Sequence, residues 1–384
     1  MNIKIVLLNM VFLLSVSGPL YAQPALSQSI DSLVASYEEK DLFSGSILVA
    51  RSGEVFSAGY GMANRSWDIP NSPETRFRIA SLTKPFTAML VLQLVEQGSL
   101  SLDDLIVQYL PDFPAEYVAD VTIRHLLSHT SGIPSYTNFT NWVDTTSRVN
   151  VQPASFTELI ASKELAFEPG TGFRYSNSNY YLLGVIIEKV TGMSYSRVLQ
   201  EQVLDPGRLG DTGYQFNGMI IEQMAEGYER ISSDYYEKAP YQSPSTAYAA
   251  GGIYSAVHDL YQWEQLLYSD RLLMEETRQQ MMTPREGNYG YGWIAGEAYV
   301  DEVARFLKSP FDFSTNSRPE PEPYRLVWHR GSHPGFNSLL VRVPDPRWTI
   351  IILENQQLNG DPVGTKIYDI AGEIFSILDG RRQP

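Results

Sequence analysis

Cysteine is absent from all 384 residues, which excludes disulfides, thiol chemistry and lipid attachment through an N-terminal cysteine. Basic residues are in short supply, 29 against 44 acidic ones. The resulting net charge of -15 argues against nucleic acid as a partner and is accounted for by solubility. Long apolar runs are missing after the first twenty-odd residues, so no integral membrane span is expected in the mature chain. Histidine occurs five times only, and there is no Gly-x-Ser-x-Gly elbow, so a Ser-His-Asp triad has few candidates. His125 and His129 stand four apart but lack the glutamate of a metalloprotease helix, and no metal or other cofactor is expected. No internal repeat is present.

What the chain does have begins with an export-like segment. Lys4 supplies a positive start, residues 5–16 an apolar stretch near twelve residues, and Gly18-Pro19-Leu20-Tyr21-Ala22 a small-residue approach to a cut after Ala22. A cleaved signal over residues 1–22, and a periplasmic or secreted bacterial protein, are the expectation. The rest, residues 23–384, reads as one unit with a mixed α/β (α+β) pattern. Ile30, Leu33, Val34 and Tyr37 mark a first amphipathic helix over residues 26–39. A hairpin follows, turning at Arg51-Ser52-Gly53. A helix starts near Ser81, and a middle stretch rich in helical signals extends well past Asn150. Strands return as "YRLVWH", "FNSLLVRV" and "RWTIIILEN", and a last amphipathic helix over residues 364–378 carries Ile367, Ile370, Ile374 and Phe375. This order predicts an antiparallel sheet flanked by the two terminal helices, with a mostly helical lobe inserted. The sheet lobe is expected over residues 23–80 and 285–384, the helical lobe over 81–284, and the ligand site between them. Residues 308–324, which alternate Pro with Glu, read as an extended surface loop.

Three short motifs carry chemistry. Ser81-Leu82-Thr83-Lys84 sets a hydroxyl and an amine three apart, close neighbours on a helix. A serine needs a base, and lysine serves as one when burial or positive surroundings lower its pKa. The free N–H groups of a helix start would also suit a developing oxyanion. Tyr175-Ser176-Asn177 precedes an apolar helix face closed by Gly192; there a phenol could relay a proton and an amide could orient a carbonyl. The same residues also suit an N-cap at Asn177 or Ser178. His329-Arg330-Gly331 lies on or beside a strand whose glycine lets a substrate lie close, or forms a hairpin turn with a surface histidine. Gly251-Gly252 suits close backbone packing below the site, and Tyr136, Trp142 and Tyr291 suit either the cleft wall or the core. His258 reads as an exposed first-turn residue after an N-cap at Ser255.

In this order, "SLTK", "YSN" and "HRGSHPGF" resemble the three active-site elements of the serine β-lactamase and penicillin-binding-protein superfamily. The Tyr-x-Asn middle motif is similar to that of the class C β-lactamase and D-alanyl-D-alanine carboxypeptidase branch. "VTIRHLLSHTSGIPSY" and "AAGGIYSAVHDLYQW" extend the resemblance, which runs over roughly residues 45–355. It implies Ser81 as the acylated nucleophile, Lys84 as its proton acceptor, Tyr175 as the relay to the leaving group, and Asn177 as a holder of substrate or of Lys84. It also implies an oxyanion hole from the backbone N–H groups of Ser81 and Ser332, and a substrate edge at His329, Arg330 and Gly331. Two departures bear on substrate. His329 stands where β-lactamases carry lysine, with a charge expected to vary near neutral pH. Arg330 stands where Thr or Gly is commoner, and either recognises or obstructs a substrate carboxylate. "DPGRLGDT" also departs from the family's usual segment, a matter of local packing. The expected activity is an exported serine hydrolase forming an acyl-enzyme from amides or esters, with D-amino-acid peptides or small esters as substrates. A class C-type β-lactamase and a penicillin-binding or peptide-sensing module with little turnover are the alternatives.

Overall fold

The computed structural model describes residues 24–111, 113, 118–315, 321–361 and 364–380; the expected export signal over residues 1–22 lies outside the described residues. The chain opens with α1 (Pro24–Glu38) and the hairpin β1 (Gly45–Arg51) and β2 (Glu54–Tyr60). Ser52 and Gly53 both take positive φ, 52° and 90°, as a two-residue turn between right-twisted strands requires. Arg51, expected in the turn, ends β1 opposite Glu54. The middle of the chain supplies α2 (Thr83–Glu96), α3 (Asn177–Thr191), α4 (Pro244–Gly251) and α5 (Val257–Leu266). Then come β3 (Ile294–Ala298), β4 (Tyr324–His333), β5 (Phe336–Val343), β6 (Trp348–Glu354) and α6 (Thr365–Leu378).

The six strands form one antiparallel sheet in the order β3-β4-β5-β6-β1-β2, so the first hairpin closes onto the last strand. Strand alternation divides the core. Ile47 and Val49 of β1 join Ile350 and Ile352 of β6 beneath α1 and α6, where Ile30, Val34, Ile370 and Ile374 meet them. Leu48 and Ala50, with Leu340, Ile351 and Leu353, face the opposite side and the middle helices. Burial on both faces explains why β6 reads as a continuous apolar run instead of an alternating one. The expected antiparallel sheet with terminal helices on one face is therefore present.

α2 runs through the second core, buried from Thr83 to Leu94 on every side. Its sequence has no polar stripe, which is the mark of a helix with no solvent face. Phe86 stacks on Trp263 at 3.9 Å between centroids, and Trp263 on Trp293 at 5.6 Å.

Several features depart from the sequence expectation. β3, with a glycine and a glutamate in five residues, carries no strand pattern and forms because its neighbour β4 offers an edge. Short strands at Phe77–Arg78, Gly213–Tyr214 and Ile253–Ser255 pair with one another, and Tyr228–Ser232 pairs in parallel with Gln356–Leu358. These two-to-five-residue pieces are fixed by distant partners, which a local reading does not see. α5 is capped by Ala256, because Ser255 ends a strand and spends its hydroxyl on Thr212, 2.7 Å away. Of the expected surface loop over residues 308–324, residues 316–320 lie outside the described residues, and the described remainder is exposed only in part. Phe313 stacks on Phe306 at 4.5 Å, and Phe311 turns toward Tyr175.

Candidate active site

Ser81 sits in a single 3-10 turn, Ala80–Leu82, immediately ahead of α2, not within the helix itself. Ala80 takes a φ of +48° although it carries a Cβ. Such a conformation costs of order 1–3 kcal/mol and persists only where surroundings over-determine it. Here they do: the Ile79 carbonyl accepts from Ser338 Oγ at 2.6 Å, and Ile79 N–H donates to the Ile253 carbonyl at 3.1 Å. Gly331 of β4 lies directly against this turn. A Cβ on it would stand 2.2 Å from the Ile79 carbonyl oxygen and 2.8 Å from the Ser81 nitrogen. Glycine is thus what lets β4 approach the serine.

Lys84 occupies the first turn of α2 and is fully buried. Its Nζ lies 3.1 Å from Ser81 Oγ, 2.7 Å from Asn177 Oδ1 and 2.9 Å from the Ala250 carbonyl oxygen. No carboxylate pairs with it among the described residues, and burial pushes its pKa well below the usual lysine value. The Tyr175 ring stands 5.0 Å from Nζ.

Tyr175 and Asn177 flank the start of α3, whose N-cap is Ser176 and whose C-terminus is closed by Gly192 at a φ of +69°. The Tyr175 side chain lines the same cavity wall as Ser81, and burial raises the pKa of its phenol, so it stays protonated. Asn177 holds Lys84 through Oδ1 and takes its own backbone N–H to Ser135 Oγ, 3.1 Å away. Below the pair, Phe311 stacks on the Tyr175 ring at 5.7 Å.

His329, Arg330, Gly331 and Ser332 lie in β4, not in a turn. β4 pairs with β5 as far as His333 but with β3 only up to Trp328. His329 is 1% exposed. Its Nδ1 lies 2.7 Å from the Arg330 carbonyl, an obligate acceptor, so Nδ1 carries the proton and Nε2 accepts from the Tyr289 hydroxyl at 3.0 Å. Burial, and then the nearby Lys84, push its pKa well below the usual histidine value. His329 is thus a buried residue of the wall beside Ser81 and not a surface histidine, and its burial opposes the charge expected to vary near neutral pH. Arg330 is partly buried and donates from Nη1 to the Tyr368 hydroxyl at 3.1 Å.

Two cavities open on either side of Ser81. One, of about 180 Å³, is walled by Tyr175, Ile294, Phe311, His329, Arg330 and Tyr368. The other, of about 160 Å³, is walled by Tyr136, Trp142, Asn177, Gln242, Ala250 and His333. Tyr175 thus belongs to the first and Asn177 to the second. Tyr136 and Trp142 line the cleft, whereas Tyr291 is buried away from it and accepts from Arg124 Nη1 at 2.9 Å.

The structure adds residues the motifs did not name. The Ala250 carbonyl reaches Lys84 from the end of α4, where Tyr248 adopts a φ of 42°; the Ala-Ala-Gly-Gly stretch gave only a hint of close packing. Phe311 and Tyr368 arrive from regions read as a loop and a packing helix. His125 caps its own helix through the Thr122 backbone N–H, 3.3 Å from Nδ1, and His129 lies buried beside Tyr175, 4.4 Å between ring centroids. The two histidines do not converge on one point, and their spacing belongs to the local helix end.

The chain is similar to known proteins over most of its length. The Beta-lactamase family model matches residues 30–372. Penicillin-binding protein 4* of Bacillus subtilis (strain 168) is 30% identical over 351 residues, covering 85% of this chain and 71% of that protein. Protein flp of Staphylococcus aureus (strain MRSA252) is 30% identical over 366 residues, 91% of this chain and 66% of its own length. The chain thus spans 71% and 66% of these two curated relatives. Among solved structures, a penicillin binding protein from Bacillus halodurans superposes with a TM-score of 0.73 at 25% identity, covering 91% of this chain and 98% of that one. The D-amino acid amidase from Ochrobactrum anthropi SV3 shares the fold with a TM-score of 0.77 at 23% identity, covering 93% and 99%. The chain belongs to the Beta-lactamase family and is a serine hydrolase of the β-lactamase and penicillin-binding-protein superfamily.

Proposed function

We propose that the protein hydrolyses D-amino-acid peptides, and small esters in second place, by two-step acyl transfer through Ser81. One observation carries the assignment of nucleophile and base: the three neighbours of Lys84 Nζ. Two of them, Asn177 Oδ1 and the Ala250 carbonyl, can only accept. A neutral amine has two N–H bonds to give them, and its lone pair is left for the third neighbour, Ser81 Oγ. The lowered pKa of Lys84 favours that neutral form.

Ser81 Oγ then attacks the substrate carbonyl while its proton passes to Lys84 Nζ. The backbone N–H groups of Ser81 and Ser332 receive the developing oxyanion, a donor of this kind contributing roughly 3–4 kcal/mol. The carbon to leaving-group bond breaks as the proton moves through the neutral Tyr175 phenol to the departing nitrogen or oxygen. Water attacks the ester on Ser81, its proton going to the same base, and the serine is released.

The substrate class is supported by the likeness to penicillin-binding protein 4* and by the stretch of β4 that lines the cavity at Ser81, a strand of the kind that pairs with extended peptides. Arg330 beside the Tyr175 cavity offers a guanidinium to an acidic leaving group. Export through residues 1–22, to a periplasmic or external location, belongs to the same proposal, since peptides of the cell wall lie outside the inner membrane; fractionation of cells expressing the full chain and a chain lacking residues 1–22 tests it.

A fluorophosphonate or a fluorescent penicillin labels the wild type and leaves Ser81→Ala unlabelled. Equal labelling of the alanine variant removes Ser81 as the nucleophile. Steady-state release from a D-Ala-D-Ala peptide, a chromogenic ester and a cephalosporin then separates peptidase, esterase and β-lactamase. Labelling without turnover of any of them identifies a sensing module.

A further inference from the structure

His129 is fully buried, and neither the metal spacing of the sequence nor the reaction above uses it. Its backbone is unusual, with a φ of +59°, and its carbonyl accepts from Arg174 N–H at 3.0 Å. Its Nδ1 lies 3.2 Å from the Ser176 backbone nitrogen and 3.3 Å from Asn179 Nδ2. A backbone N–H can only donate, so Nδ1 is an acceptor and the proton sits on Nε2. The orientation of Asn179 agrees, because its Oδ1 takes the Ser131 hydroxyl at 2.8 Å and leaves its amide hydrogens for His129. Nε2 has no hydrogen-bond partner among the described residues, and the ring packs between Tyr175 and Tyr289, at 4.4 and 4.6 Å between centroids. A buried N–H facing aromatic rings suits a neutral imidazole and not an imidazolium carrying a second buried N–H at Nδ1.

Two consecutive strides of the chain are therefore fastened to one histidine: residue 174 by the main chain and residue 176 by the ring. The residues on either side of Ser176 are Tyr175, which walls one cavity together with Ser81, and Asn177, bonded to Lys84. We propose that His129 is a positioning residue for the reaction: as a neutral imidazole it pins the turn at residues 174–177, so that Tyr175 and Asn177 together face Ser81 and Lys84. This rests on the acyl-transfer reading of Ser81. The titratable groups facing His129 are Lys84 from α2, Tyr175 and Tyr180 around the start of α3, Tyr289 ahead of β3, and His329 from β4. Burial first, and then Lys84 and His329, hold its pKa well below the usual histidine value, in keeping with this role.

The test uses His129→Asn, His129→Gln and His129→Leu in the full chain, with p-nitrophenyl acetate turnover, fluorophosphonate labelling rate and urea stability read for each. Asparagine places an oxygen where Nδ1 stands, whereas glutamine places its polar end near Nε2. The asparagine variant is expected to retain kcat within about 10-fold of wild type, and the glutamine and leucine variants to lose about 10²-fold in kcat with little change in KM, as for a misplaced catalytic group. The acid limb of kcat is expected to be steeper in the wild type than in the asparagine variant, which lacks a titratable ring at position 129. Wild-type kcat in the leucine variant, or equal losses in the asparagine and glutamine variants at equal stability, overturns the proposal. Should the leucine variant not fold, the asparagine and glutamine comparison decides alone. Ser81→Ala is run alongside: turnover by it sinks the acyl-transfer reading, whereas equal losses at position 129 with an inactive Ser81→Ala sink only the role of His129.

Discussion

At the scale of single residues, the site is organised by what each neighbour of Lys84 is able to do. Two acceptors and one hydroxyl around a buried amine leave a single arrangement of protons that satisfies every group when the amine is neutral. An ammonium would instead donate to all three and leave Ser81 with no base. This gives a prediction with two arms. Lys84→Ala is expected to lower kcat/KM by about 10²–10⁴, the usual worth of a general base. Lys84→Arg is expected to be no better, because a guanidinium remains charged at any working pH. In the wild type the sign is set by the lowered pKa of Lys84: activity is lost as the pH falls through that lowered value and the amine takes up a proton. Activity of Lys84→Arg near that of the wild type, read with a chromogenic ester, would contradict this account.

At the scale of elements, the groups gathered around Ser81 come from four pieces that meet only in the fold: the turn and first residues of α2, the start of α3, the end of α4, and β4. What holds them is the packing of the sheet on the middle helices, and one ion pair is sealed in that interface. Glu264 of α5 and Arg342 of β5 approach to 2.7 Å with side chains 0% and 2% exposed, and Glu264 also accepts from Thr349 Oγ1 at 3.1 Å. Desolvation offsets most of the attraction in such a pair, so its net contribution is small, but an unpaired survivor is expensive. Arg342→Met alone is expected to destabilise by about 3–5 kcal/mol, and Arg342→Met with Glu264→Leu by much less. Urea unfolding of the two variants measures this; equal losses would mean that the methionine is badly packed and that charge is not at issue.

At the scale of the whole molecule, burial of titratable groups sets how stability follows pH. His129 and His329 are buried and neutral with pKa values held low, and His333, partly covered, is pushed to about 4. The unfolded chain protonates these histidines near 6.5 while the folded chain does not, so the unfolded state binds more protons and stability rises with pH up to that point. Glu354 has the opposite sign. Burial raises its carboxyl to about 8, so the folded state keeps a proton that the unfolded state has lost, and stability falls as the pH rises from about 4.5 toward 8. Between pH 5 and 6.5 the histidines outnumber the glutamate. Unfolding free energy is therefore expected to drop on acidification across that range, by about 1.4 kcal/mol per pH unit for each net proton. Glu354→Gln removes the opposing contribution and steepens the drop. Urea midpoints that stay level or rise on acidification would count against the neutral histidines.

The sequence by itself determined the local elements and the order of the chemistry. Alternation and apolar runs mark β1, β4, β5 and β6, the 3.6-residue period marks α1 and α6, and Ser81, Lys84, Tyr175 and Asn177 are set in motifs whose order and resemblance to the superfamily imply acyl transfer. Those signals are legible because each depends on neighbours within a few positions. Tertiary structure alone decided the rest. β3 and the short strands exist only through partners far along the chain, Ala250 serves through a carbonyl that its side chain does not reveal, and Phe311 reaches Tyr175 from a segment whose Pro-Glu composition suggests exposure. His329 shows the reason most plainly. A histidine read from sequence carries the pKa of a solvated imidazole, and only the surrounding burial, the Tyr289 hydroxyl and the nearby Lys84 make it a neutral wall, because solvation and electrostatic energy are properties of the packed environment and not of the residue.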